Sequence, residues 1–343
     1  MRREFLSLFR LPPAPAPRRM IAVRAAASLG VPLALLTLLG REDLGLQAAV
    51  GAFLALFAAG ASARERARVL PIVGAGLFGA AALGVALAPW PVWLAVGLVG
   101  VAVVASGLAF AFRLGPPGPV FFVLIFGLSG MMTAVRDGER VNAPASVLLT
   151  MLAGMVFSYL VALMPLLRRA ERARQARPLR ELLPGPWLGA GEQELLLRVA
   201  VVAVAGTVIS LVWLDPHRAY WTVSAGVAVV GLTAGRRHAL GRGLHRTAGT
   251  LLGAAVYLVL APLGAQPLVL VLLLTTLQFA IEVVVVRNYA LALVCITPLV
   301  LLITGAAAGG DPFSSAGERV LDTVVGSALA IGSALLHRRG ARA

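Results

Sequence analysis

The chain contains no lysine: its thirty basic residues are all arginine, and that alone removes the phosphate-loop lysine of the GxxxxGK[ST] kind. Cysteine is nearly absent as well. Cys295 stands alone in an apolar run, so there is no disulfide framework and the redox compartment is unreadable. Four histidines, His217, His238, His245 and His337, show no metal-ligand spacing. Neither HExxH nor GxSxG occurs, so no enzyme reading gains support, and no metal or other cofactor is expected. Charge is scarce too. Only 13% of residues are charged against 59% hydrophobic, with a mean hydropathy of +0.90, a balance that no soluble domain of this length hides in one core. The composition is that of an integral membrane protein.

Apolar runs separated by turn residues lie at 20–39, 46–61, 69–88, 90–112, 119–134, 143–167, 195–214, 219–234, 247–263, 267–286, 289–305 and 317–336, twelve candidate spans. With the N-terminus inside, only Arg41, Arg136, Arg140, Arg218 and Arg319 fall on the outer side, and the other twenty-five arginines fall inside. That asymmetry is what the positive-inside rule requires, and it puts both termini in the cytoplasm. The net charge of +15 is therefore read as topology and attraction to anionic lipid head groups rather than nucleic-acid binding. The expected fold is an all-α polytopic bundle.

The expected organisation is a cytoplasmic segment 1–19, a first transmembrane repeat 20–167, a cytoplasmic linker 168–194, a second repeat 195–337 and a tail 338–343. In the first segment, MRREFLSLFRL mixes apolar and basic residues and reads as a short interfacial helix. A signal peptide is the rival reading, disfavoured because Arg24 interrupts its would-be apolar core and more spans follow. The repeat rests on a shift of 174 residues, which lays Arg24 on Arg198, Arg68 on Arg242, Gly79 on Gly253 and Asp137 on Asp311. Six spans per half make the repeats parallel, about an axis along the membrane normal. The runs 46–61 and 219–234 occupy matching second places and hold sixteen residues each, about 24 Å of helix against about 30 Å of hydrocarbon. Short helices in matching places point to a transport site near the midplane, or to local thinning of the bilayer.

Two stretches place Arg, Thr and Gly at i, i+4 and i+7: Arg246, Thr250 and Gly253 in HRTAGTLLGA, and Arg319, Thr323 and Gly326 in RVLDTVVGSA. Such a face suits an anion path, because a guanidinium and a hydroxyl bind carboxylate where water is excluded. It equally suits tight helix packing on Gly253 and Gly326 with arginines anchored at the interface. Gln278 and Glu282 sit four apart after Thr275, and Glu282 and Asp322 are candidates for proton coupling; local pairs with Arg287 and Arg319 are the alternatives. Asn288, Tyr289, Thr297 and Pro298 complete the polar set, the proline either freeing a carbonyl to line a cavity or kinking the helix for packing. Trp90, Trp93, Trp187, Trp213, Tyr220 and Trp221 lie at span ends and read as an aromatic belt.

Tyr220-Trp221-Thr222, RTAGTLLGA from Arg246, VRNYALALVCITPLVLL from Val286 and RVLDTVVG from Arg319 together resemble the fusaric acid resistance-like family. That family includes aromatic carboxylic acid exporters and is distantly similar to plant aluminium-activated malate channels. The resemblance covers about 220–330; the first half agrees in layout only. Many larger relatives carry a soluble domain where this chain has the 168–194 linker. What the resemblance implies is a bacterial inner-membrane exporter of organic, aromatic among them, carboxylate anions. Its substrate-binding candidates are Arg246, Thr250, Arg319, Thr323, Asn288, Tyr289 and Gln278, with Glu282 and Asp322 for coupling. The expected partners are lipid, a small organic anion and a second copy of the chain. A passive anion channel and a non-transporting scaffold are the competing readings.

Overall fold

The computed structural model describes residues 18–233 and 235–336, with Ser7, Leu8, Arg10 and Pro12 of the N-terminal segment. The expected interfacial helix therefore falls largely, and the tail 338–343 wholly, outside the described residues. Twelve helices of ten or more residues follow one another among those described: α1 Arg19–Leu38, α2 Glu42–Gly51, α3 Ala63–Leu87, α4 Pro91–Ala111, α5 Val120–Met132, α6 Pro144–Leu163, α7 Ala190–Trp213, α8 Ala219–Val230, α9 Arg236–Leu260, α10 Pro267–Val284, α11 Tyr289–Ala308 and α12 Pro312–Ser333. Among the described residues seven helical stretches are long and apolar enough to cross a membrane: α1, α3, α4, α6 with its 3₁₀ extension, α7, α10 and α11. The chain is a multi-pass helical membrane protein.

Helix ends follow local chemistry. Pro91 and Pro267 open α4 and α10, where a missing N–H is harmless. Asn288 caps α11, its side-chain oxygen accepting from Leu291 N–H at 3.0 Å. Gly231, at φ +65°, stops α8. Between α5 and α6 the strands Val135–Arg136 and Glu139–Arg140 pair antiparallel around Asp137 and Gly138, both at positive φ, as an Asp-Gly hairpin turn requires.

The chain divides into two compact units, and neither is a chain half. The first comprises Met1–Leu70, Ala145–Arg174 and Leu244–Leu321; the second comprises Pro71–Pro144, Gln175–Gly243 and Asp322–Ala343. In the first unit α1 packs on α2 and on α10, and α10 packs on α11. In the second, α7 packs on α8 and on α4, and α5 packs on α8.

Glycine sets the closest approaches. A Cβ on Gly154 of α6 would collide with the Ala48 carbonyl on α2, and one on Gly326 of α12 with the Thr222 carbonyl on α8. Backbones meet there as they do at small-residue contacts in membranes.

The two short helices are shorter than their apolar runs. After α2 the chain passes through a 3₁₀ turn, Ala52–Leu56, into an irregular segment. Arginines satisfy the carbonyls left over: Arg24 donates to Ala59 O at 2.8 Å, and Arg66 donates to Ala61 O. In the second unit Arg242 donates to Ala228 O at the end of α8, at 3.0 Å. Cations at helix C-termini also oppose the negative end of the helix dipole.

Candidate functional site

The face of α9 that carries Arg246, Thr250 and Gly253 belongs to the first unit. Gly249 and Gly253 admit α11 at close range: a Cβ at Gly249 would strike the Ala290 carbonyl, and one at Gly253 would press on Thr297 and the Leu293 carbonyl. That approach brings Arg246 Nη1 to the Tyr289 hydroxyl at 2.7 Å. Arg246 is only 6% exposed and Thr250 is buried beside it on the same helix face. Arg246 Nε has no acceptor among the described residues. Gln278 on α10, also buried, has an Nε2 without an acceptor. Buried donors in a protein are nearly always satisfied, which marks both of these nitrogens.

Asn288 serves a local purpose. Besides capping α11, its amide donates to the carbonyls of Leu8 at 2.8 Å and Arg10 at 3.1 Å. Next to Arg246, His245 Nε2 shares a hydrogen bond with the Ser7 hydroxyl at 2.8 Å, and its Nδ1 accepts from Ala290 N–H at 3.3 Å. The N-terminal segment thus rests on the same end of α9 and α11 as Arg246.

Glu282 pairs with Arg18 and not with Arg287. Arg18 Nη2 lies 2.7 Å from Glu282 Oε2, while Arg287 Nε donates to the Pro12 carbonyl at 2.9 Å. Packing explains the difference: α1 lies along α10, so the residue just before α1 reaches Glu282, whereas Arg287 follows the end of α10. Spacing along the chain could not reveal a partner 264 positions away.

In the second unit three helices converge on Thr222. Its hydroxyl donates to Asp322 Oδ1 on α12 at 2.7 Å and accepts from Ser210 Oγ on α7 at 3.3 Å. All three side chains are buried. Thr323 is buried one residue on, its hydroxyl without a partner among the described residues, and Gly326 makes the backbone contact with α8. Arg319, three residues before Asp322 on α12, is 3% exposed and belongs to the first unit. The candidates are therefore divided: Asp322, Thr323 and Gly326 lie in the second unit, the others in the first. Neither Arg246 nor Arg319 presents its guanidinium to the surface.

Two features escaped the sequence reading. Arg198, counted there as one more inner charge, is fully buried; its Nε donates to Ser333 Oγ at 3.3 Å and its terminal nitrogens have no hydrogen-bond partner among the described residues. Its match to Arg24 under the 174-residue shift was the available signal. Tyr220 and Trp221 are not belt residues, since each is 3% exposed, whereas Trp90, Trp93, Trp187 and Trp213 are all more than half exposed. Every residue of α8 is buried, as a short helix with no charged residue and only two aliphatic hydroxyls, Thr222 and Ser224, should be. Tyr220 also lines a cavity of about 240 Å³ in the second unit, with Leu94, Leu98, Phe126 and His217. No cluster of metal-ligating side chains occurs among the described residues.

Residues 193–332 match the family model described as fusaric acid resistance protein-like. The match takes in α7 to α12 as one block, and over that stretch the resemblance read from the motifs holds. The chain is also similar to the uncharacterized membrane protein YvaC of Bacillus subtilis (strain 168), 34% identical over 115 residues. That alignment covers 33% of this chain and 18% of the relative, so it spans under a fifth of that protein's length. No solved structure matches.

Proposed function

We propose that the chain is a secondary transporter that exports organic, including aromatic, carboxylate anions across the inner membrane. The observation that carries this reading is the buried Arg246 guanidinium, held at one nitrogen by Tyr289 with its Nε unfilled. A carboxylate is the group that satisfies such a donor, and burial strengthens the attraction. Thr250 and Gln278 are further candidate donors in the same unit, and Arg319 and Thr323 are the candidates on α12. Energy coupling is assigned to a buried carboxylate, Glu282 or Asp322. The termini are taken as cytoplasmic on the arginine asymmetry.

The architecture is read as twelve spans in two parallel six-helix repeats. The helix boundaries support it: shifted by 174, Ala63–Leu87 falls on 237–261, against Arg236–Leu260 for α9. The units support it too, since Pro71–Pro144 of the second unit shifts onto 245–318, against Leu244–Leu321 in the first.

Full-length protein in liposomes, loaded with benzoate or malate and followed with and without an imposed proton gradient, tests the function. Gradient-driven flux that Arg246→Gln abolishes supports it. Flux indifferent to the gradient makes the protein a channel, and no flux of either anion from well-folded protein removes the transport reading.

A further inference from the structure

Among the buried carboxylates, Glu282 pairs with Arg18, and Asp322 accepts a hydrogen bond from the Thr222 hydroxyl on another helix. We propose that Ser210, Thr222 and Asp322 form a proton relay across α7, α8 and α12, leading from the outer end of the second unit to the Asp322 carboxyl. The proposal rests on the transporter reading for its purpose, but the relay is a property of the protein by itself.

The hydrogen bonds already point one way. Ser210 Oγ donates to Thr222 Oγ1, and Thr222 Oγ1 donates to Asp322 Oδ1. A proton arriving on Ser210 Oγ displaces the hydroxyl proton of Ser210 onto Thr222 Oγ1. The proton of Thr222 then passes to Asp322 Oδ1, which leaves both hydroxyls neutral and the carboxyl protonated. Release by the reverse sequence, or to water on the other side of Asp322, returns the carboxylate. Ser210 is three residues from the end of α7 at Trp213, and Thr222 is three residues from the start of α8 at Ala219. Each lies about 4.5 Å, just under one turn, inside its helix, so both buried hydroxyls are near helix ends, whereas Asp322 is ten residues into α12. Thr222 and Asp322 are in direct contact at 2.7 Å, which leaves no gap for a cation between them and favours a proton over sodium.

The polar trio is not needed for packing. Under the 174-residue shift Ser210, Thr222 and Asp322 fall on Leu36, Ala48 and Leu148. The first unit makes a similar backbone contact, Gly154 on the Ala48 carbonyl where the second has Gly326 on the Thr222 carbonyl, two residues out of that register on the glycine side. In either register, Leu148 or Thr150, the first unit has no ionisable group at the place of Asp322. A buried carboxylate opposes insertion and folding, so its place in one copy only points to use rather than construction. The charged groups around it are few. Between Arg198 and Trp213, α7 has none; α8 has none, with Arg218 and its partner Asp215 just before it; on α12 itself stand Glu318 and Arg319.

Infrared difference spectra of the full chain in lipid, recorded after a step in external pH between about 5 and 9, test the relay. The signal is the carboxylic C=O band that Asp322→Asn removes. The band is expected to grow on acidification, about tenfold or more slowly in Thr222→Val and Ser210→Ala, and at the native rate in Thr222→Ser. A band that forms at the native rate in Thr222→Val and Ser210→Ala overturns the relay, as does a carboxylate that responds to sodium and not to pH. A normal band response in protein that moves no substrate leaves the relay standing and rejects the transporter reading.

Discussion

The Arg246 guanidinium and the Tyr289 hydroxyl meet at 2.7 Å across 43 positions of the chain, joining α9 to α11 where glycines bring the two helices together. Tyr289 fixes one nitrogen and so aims the rest. Tyr289→Phe should therefore lower anion affinity by about tenfold, since a hydrogen bond to a charged group contributes about 1.5–3 kcal/mol and part of that is recovered by relaxation. Arg246→Gln should lose transport altogether. Binding and flux measured on both variants, each checked for native thermal stability, decide this; equal affinity in Tyr289→Phe and the native protein would detach the tyrosine from the site.

The Arg18–Glu282 pair holds α1 to α10, with side chains 20% and 7% exposed. Glu282→Gln and Arg18→Gln should each destabilise the protein by about 2 kcal/mol, less than a fully enclosed pair because Arg18 keeps some water. The double replacement should recover about half of the summed loss. Thermal unfolding in detergent provides the double-mutant cycle, and strictly additive losses would mean the two groups do not interact.

Glycine contacts give a contrast within one protein. Gly326→Ala drives a methyl into the Thr222 carbonyl, whereas Gly79→Ala on α3 meets nothing within 4 Å. The first should lower stability by about 2 kcal/mol or more. The second should be neutral or stabilising by up to about 1 kcal/mol, from helix propensity. Melting temperatures of the two variants suffice as the measurement.

Topology can be read with thiols, because Cys295 is the chain's only cysteine. In a Cys295→Ala background, single cysteines at Asp137 and Gly310 should react with an impermeant maleimide in intact cells, while cysteines at Arg64 and Trp187 should react only after lysis. Labelling of Arg64→Cys from outside would break the twelve-span reading in the first half.

How much could be read beforehand depended on range. Helices are local, and most boundaries fell within a few residues of the apolar runs: 267–286 against Pro267–Val284, 20–39 against Arg19–Leu38. The short helices ended early because of Gly231, a local stop, and the arginine-held carbonyls after Leu56, a tertiary matter, and hydropathy registers neither. Arg246 and Tyr289 were both legible as candidates, but not their contact. Asp322 was visible, yet its link to Thr222 spans 100 positions and emerges only when α8 lies against α12. A longer separation, 264 positions, hid the partner of Glu282. Tyr220 and Trp221 misled because belt and core aromatics look alike at a helix end; the absence of any charged residue from AYWTVSAGVAVV was the overlooked cue.

Because α1 finds its place beside α10, and α4 beside α7, neither compact unit can close around an early stretch of nascent polypeptide. The first unit needs residues as late as Leu321, so α1 and α2 must wait in the lipid without α10 and α11 until those later helices have been threaded in. Coexpressed fragments cut in the linker should then complement one another, while either fragment made by itself should be degraded.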